Sequence, residues 1–156
     1  LREKHGYTYG ASSAFIFRRG PGPFLIGTSV RTDATAPAVI EIFKEIERMR
    51  ESEITPEELA TAKDSIAQSL PGLFETTPDS AASAGQLFVH NLPLNYYHDL
   101  PEQIQKVTAA KVQQAAQKYL KPEDAVIVAA GDRSKIESEL EKLNFGPIEI
   151  RDANGN

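Results

Sequence analysis

The sequence predicts an α+β fold, with helices packed on one face of a mostly antiparallel sheet. Three observations carry that prediction. Residues 7–31 alternate at period two, as strands do. From residue 37 to about residue 120, apolar side chains recur at helical spacing between well-marked start signals. Then Ala125-Val126-Ile127-Val128-Ala129-Ala130 forms a continuous apolar run, the pattern of a central strand buried on both faces.

The first strand places Tyr7, Tyr9, Ala11, Ser13, Phe15 and Phe17 on one face and Thr8, Gly10, Ser12, Ala14 and Ile16 on the other. The small residues at Gly10, Ala11, Ser12 and Ser13 leave room for close approach to that strand. Arg18-Arg19-Gly20-Pro21-Gly22-Pro23 is a turn, because Gly and Pro do not sustain a ladder. Phe24 to Val30 resumes the extended pattern, which completes an antiparallel hairpin.

Val39, Ile42, Phe43, Ile46 and Met49 predict an amphipathic helix over residues 37–51. Thr55 as N-cap, Pro56 at the first helical position and Glu58 as capping-box partner start the next. Its stripe of Leu59, Ala62, Ile66 and Leu70 runs to Pro71-Gly72. Thr77-Pro78-Asp79-Ser80 repeats the start signal for a helix through about Phe88. Leu100-Pro101 begins a short helix. Val107-Thr108 caps another, with Val112, Ala115, Ala116 and Tyr119 inward, ending before Lys121-Pro122. After the apolar run, which Gly131-Asp132 ends, Ile136, Leu140 and Leu143 mark a further helix. Ile148-Glu149-Ile150 reads as a last short strand, and residues 152–156 as a polar tail.

At 156 residues, 40% hydrophobic and 25% charged, the chain is about one domain's worth, with no internal linker or repeat. It contains no Cys, which excludes disulfide scaffolds and Cys-based metal or redox sites. A net charge of −5 argues against a general nucleic-acid binder. No apolar run approaches the roughly 20 residues of a helical membrane span.

Most candidate chemistry is explained by structure. The three His (His5, His90 and His98) do not stand at the spacing of a zinc motif, and His90 and His98 read as solvated loop residues. There is no Gly-x-Ser-x-Gly elbow. The Gly20-Pro21-Gly22 turn lacks the donors and the Lys of a phosphate cradle. Glu57 and Glu58 lie in a first helical turn, where carboxylates favour the dipole. That leaves Arg2 and Tyr9. Read alone, they are an exposed Arg and a half-buried strand Tyr. They could also present donors to a passing backbone carbonyl.

The ordered features resemble a known family. Leu1-Arg2-Glu3-Lys4-His5-Gly6-Tyr7-Thr8-Tyr9 is similar to the LRE-x-x-G-x-x-Y segment of the pitrilysin/insulinase/mitochondrial processing peptidase family of inverted zinc peptidases. The likeness continues through Thr55-Pro56-Glu57-Glu58-Leu59 with Ala62-Lys63, through Val107 to Val112, through Tyr119-Leu120-Lys121-Pro122, and to Gly131-Asp132. It implies the C-terminal, non-zinc ("inactive") domain, and it implies that residues 1–156 are the later part of one α+β domain, a fragment of a longer chain. It implies that Arg2 and Tyr9 bind an extended peptide or protein substrate opposite a zinc-bearing partner domain or subunit, with Tyr7 as reserve candidate. No catalytic residue, metal ligand or cofactor is then expected in this chain. Zinc is expected on the partner, and the fragment should be inactive alone. The family also holds scaffold subunits that cleave nothing, so a non-catalytic structural or assembly subunit is the alternative. An unrelated α+β binding domain is the third reading. The exported bacterial relatives point to a periplasmic setting, the compartment being otherwise open. Loss of neighbouring strands would also promote self-association of the fragment.

Overall fold

The computed structural model describes residues 1, 5–152 and 155. Two strands, β1 (Thr8–Phe15) and β2 (Phe24–Val30), form a two-stranded sheet. Among the described residues six helices follow: α1 (Thr35–Glu51), α2 (Pro56–Ser69), α3 (Thr77–Val89), α4 (Tyr96–Gln105), α5 (Ala109–Tyr119) and α6 (Arg133–Glu141). Short 3-10 turns cover Thr32–Ala34, Pro71–Phe74 and Pro122–Asp124. The α+β class is as expected, but the sheet is smaller.

The chain falls into two compact units. The first comprises Leu1–Ala14, Ile26–Ile46 and Pro122–Asn156. In it the Arg31 N–H donates to the Tyr7 carbonyl at 3.2 Å, which closes the base of the hairpin. Alternation is clean on β2, where Ile26, Thr28 and Val30 are half-buried and Gly27 and Ser29 are exposed. Ala34, Ala36, Ala38 and Ile136 are buried, and Phe43 stacks on Phe145 with ring centroids 4.4 Å apart. Helix α6 packs on the turn at Thr32–Ala34. It starts where the Asp132 carboxylate accepts the Ser134 N–H at 3.1 Å.

The second unit comprises Phe15–Leu25 and Glu47–Lys121. Here the Ile16 N–H donates to the Pro23 carbonyl at 2.9 Å at the hairpin tip, and Phe15 packs on Phe24. The capping box at Thr55 is formed, and Thr108 caps α5 through the Lys111 N–H. Helix α3 packs on the Pro71–Phe74 turn, where buried Ser83 donates from Oγ to the Leu73 carbonyl at 2.9 Å. Helices α2 and α4 pack together, with Lys63 Nζ bonded to the Gln105 carbonyl. Gln113 and Gln117, one turn apart on α5, both donate to the Arg50 carbonyl.

Five expectations are corrected. Residues 125–130 form no strand, and Val126 and Val128 are 88% and 89% exposed. An apolar run records a tendency to be buried; a strand also needs a ladder partner, and the sheet among the described residues is β1 with β2 alone. Ile148 to Ile150 fails as a strand for the same reason. Helix α4 begins at Tyr96, four residues before the expected start, and holds Pro101 in its interior. Helix α3 is capped by Thr76 Oγ1, one residue before the expected Thr77. On α5, Ala115 and Tyr119 are exposed, while Ala116 and Leu120 are buried. Tyr119 instead lies under the Lys118 amine, 4.9 Å from its ring centre.

Candidate functional site

Tyr9 is the second residue of β1, and its side chain is 96% exposed. Its neighbour Thr8 points to the opposite face and is buried. Arg2, the other residue expected at the site, lies outside the described residues. The structure therefore places one member of the expected pair.

The backbone around Tyr9 is held by hydroxyls. Thr8 Oγ1 accepts the Gly10 N–H at 3.1 Å, a bond that spans Tyr9. The Thr8 hydroxyl donates to the Gly10 carbonyl at 2.8 Å. From β2 the Thr28 hydroxyl lies 3.0 Å from Thr8 Oγ1 and 2.9 Å from the Gly10 carbonyl oxygen. Residue spacing did not single out this trio. The available signal was a threonine on each of the two predicted strands; that the two hydroxyls meet diagonally needed the register.

Tyr7, the reserve candidate, is half-buried and turned to other work. Its ring stacks on His5, with centroids 4.9 Å apart and planes inclined by 18°. His5 Nε2 stands 3.5 Å from Glu41 Oε2 on α1, and Lys44 holds the other oxygen of that carboxylate at 2.6 Å. The Lys44 hydrogen bond, with smaller help from the charges of Lys44 and His5, holds the Glu41 carboxyl below its ordinary range. His5 thus serves a structural contact here.

Among the described residues no three His, Asp or Glu side chains come together in a way that could hold a metal. His98 Nδ1 stands 2.8 Å from Asp99 Oδ1, and its side chain is exposed. The donor set does not fit zinc, and no step of metal chemistry can be derived on these residues. What the site offers is an exposed phenol, able to donate or accept, beside the open edge of a two-stranded sheet.

Comparison with known proteins supplies the context. Residues 1–66 match the family model of the peptidase M16 inactive domain. The fold is similar to the crystal structure of a peptidase M16 inactive domain from Pseudomonas fluorescens, with a TM-score of 0.69 and 30% identity over 77% of this chain. It is also similar to the crystal structure of a protease from Helicobacter pylori, with a TM-score of 0.60 over 76% of this chain. At 19% identity that likeness concerns the fold alone. The chain spans 28% of the length of the first of these and 29% of the second. No curated protein gives a significant match. The matched segment, residues 1–66, contains the hairpin and Tyr9; it is similar to the inactive domain of the M16 peptidases, and the likeness of fold extends over 77% of the chain.

Proposed function

We propose that this chain is the non-zinc partner half of a zinc metalloendopeptidase and that Tyr9, with Arg2, binds extended peptide substrate opposite the zinc-bearing half. The supporting observation is the fully presented phenol of Tyr9, within the segment that matches the inactive-domain model. An extended peptide adds to a sheet edge through its main chain, and side chains beside that edge then reach its carbonyls. The Tyr9 hydroxyl and the Arg2 guanidinium donate hydrogen bonds to a peptide carbonyl oxygen and hold it as it gains charge. Donors aimed at such an oxygen contribute about 3 kcal/mol each. Zinc, and the Glu that takes a proton from its water, belong to the other half. The isolated chain also self-associates, through the exposed apolar run at residues 125–130.

The test is kinetic, on the complete enzyme. Tyr9→Phe and Arg2→Ala lower peptide turnover while zinc content stays constant. Normal turnover in both variants would remove the assignment. A complete protein and partner with no zinc motif and no peptidase activity would point instead to a structural or assembly subunit of the same fold.

A further inference from the structure

We infer that Thr8 and Thr28 are positioning residues for Tyr9, setting through their hydroxyls the direction in which its phenol meets a ligand. The inference rests on the proposed role of Tyr9 and adds two residues to it. Thr8 and Thr28 touch no substrate in this reading; they act on Tyr9 through the backbone.

The argument begins with hydrogen-bond accounting. A threonine hydroxyl has one proton and two acceptor sites. The Thr8 proton goes to the Gly10 carbonyl at 2.8 Å. Its lone pairs face the Gly10 N–H at 3.1 Å and the Thr28 hydroxyl at 3.0 Å. Every capacity of that hydroxyl is used, at a residue that is only 9% exposed. The Thr28 proton is shared between Thr8 Oγ1 and the Gly10 carbonyl.

The geometry then singles out Tyr9. The bond from the Gly10 N–H to Thr8 Oγ1 closes a ring that runs through Thr8 and the backbone of Tyr9, so it restricts the φ and ψ of Tyr9 together with the ψ of Thr8. A side chain that is 96% exposed has few contacts of its own to fix it. The direction in which its Cα–Cβ bond leaves the strand is set by the peptide planes on either side, and both are tied to Thr8. Gly10 leaves this arrangement unobstructed, since a Cβ built there would meet nothing within 4 Å.

The hairpin register gives independent support. From Tyr7 to Ile16 is nine steps along the chain, while from Pro23 to Arg31 is eight, although the two end bonds pair these residues. β1 therefore carries one residue more than β2, the count that defines a bulge. Bulges redirect side chains beside functional sites. Thr8 and Thr28 join the two strands within that stretch.

A double-mutant cycle in the complete enzyme tests the inference. Thr28→Val keeps the shape and removes the hydroxyl. It lowers kcat/KM about fivefold when Tyr9 is present and less than about twofold when Tyr9 is already Phe. Thr28→Ser restores the rate. Equal losses in both backgrounds, or a Ser variant as impaired as the Val variant, would overturn it. If Tyr9→Phe alone is without effect, the role of Tyr9 falls and this inference with it. If Tyr9→Phe is impaired but the Thr28 changes do not couple to it, only the inference falls. A second readout uses the 156-residue chain. Thr8→Val raises amide exchange at Gly10 about tenfold while amides of α5 keep their protection. An unchanged Gly10 rate would also overturn the inference.

Discussion

Thr55 and Glu58 cap α2 reciprocally: Thr55 Oγ1 accepts the Glu58 N–H at 3.1 Å, and Glu58 Oε2 accepts the Thr55 N–H at 2.9 Å. Two N–H groups that a helix start leaves without intrahelical partners are thereby satisfied. Thr55→Ala removes one of these bonds and is expected to cost about 1 kcal/mol of stability. Urea denaturation at neutral pH measures it. Thr55→Ser keeps the cap and should stay close to the parent.

The same box makes stability depend on pH. The Thr55 N–H bond, joined by the Arg48 charge, holds the Glu58 carboxyl below its ordinary value of 4.5. A carboxylate whose pKa is lower in the folded chain stabilises the fold above its unfolded pKa. That contribution fades as pH falls through the folded value. Glu58→Gln is therefore destabilising at about pH 7. Its gap from the parent should narrow in thermal melts taken from about pH 5 down to about pH 3. A gap that is constant across this range would show that the charge of Glu58 makes no difference.

Ile136 is the buried anchor of α6 in the first unit, only 7% exposed. Its Cδ1 lies 3.4 Å from where a Cβ on Gly131 would stand. Ile136→Ala removes this side chain from the packing of α6 on the Thr32–Ala34 turn and should cost about 2–4 kcal/mol. Ile136→Val should cost about 1 kcal/mol. Chemical denaturation followed by circular dichroism checks both values.

Local signals were legible in the sequence and long-range ones were less so. The box at Thr55, the cap at Thr108 and the alternation of β2 depend on residues close in sequence. They could be read directly and they form. Tyr119 matched the α5 stripe by spacing, yet it is exposed; what a helix face buries depends on its neighbours. The extent of the sheet was overread at residues 125–130, because apolar character says nothing about whether a ladder partner is at hand. At the candidate site, Tyr9 came from resemblance and not from spacing. The hydroxyl lock at Thr8 and Thr28 needed the register of the hairpin, which sequence alone does not supply.

Val126 and Val128 give the sharpest contrast between apolar character and burial. In a central strand each would bury its side chain, and polar replacement would cost about 1.5–3 kcal/mol. Here both are almost wholly exposed, so replacement removes little packing. Val126→Lys and Val128→Lys together should change the unfolding free energy of the 156-residue chain by less than about 1 kcal/mol. The same substitutions place two like charges in the run proposed to drive self-association, where an incoming apolar surface would have to desolvate them. Sedimentation velocity over a concentration series should then show the parent associating and the double variant remaining monomeric. A large loss of stability would mean that the run is buried in solution. Unchanged association would place the self-association surface elsewhere.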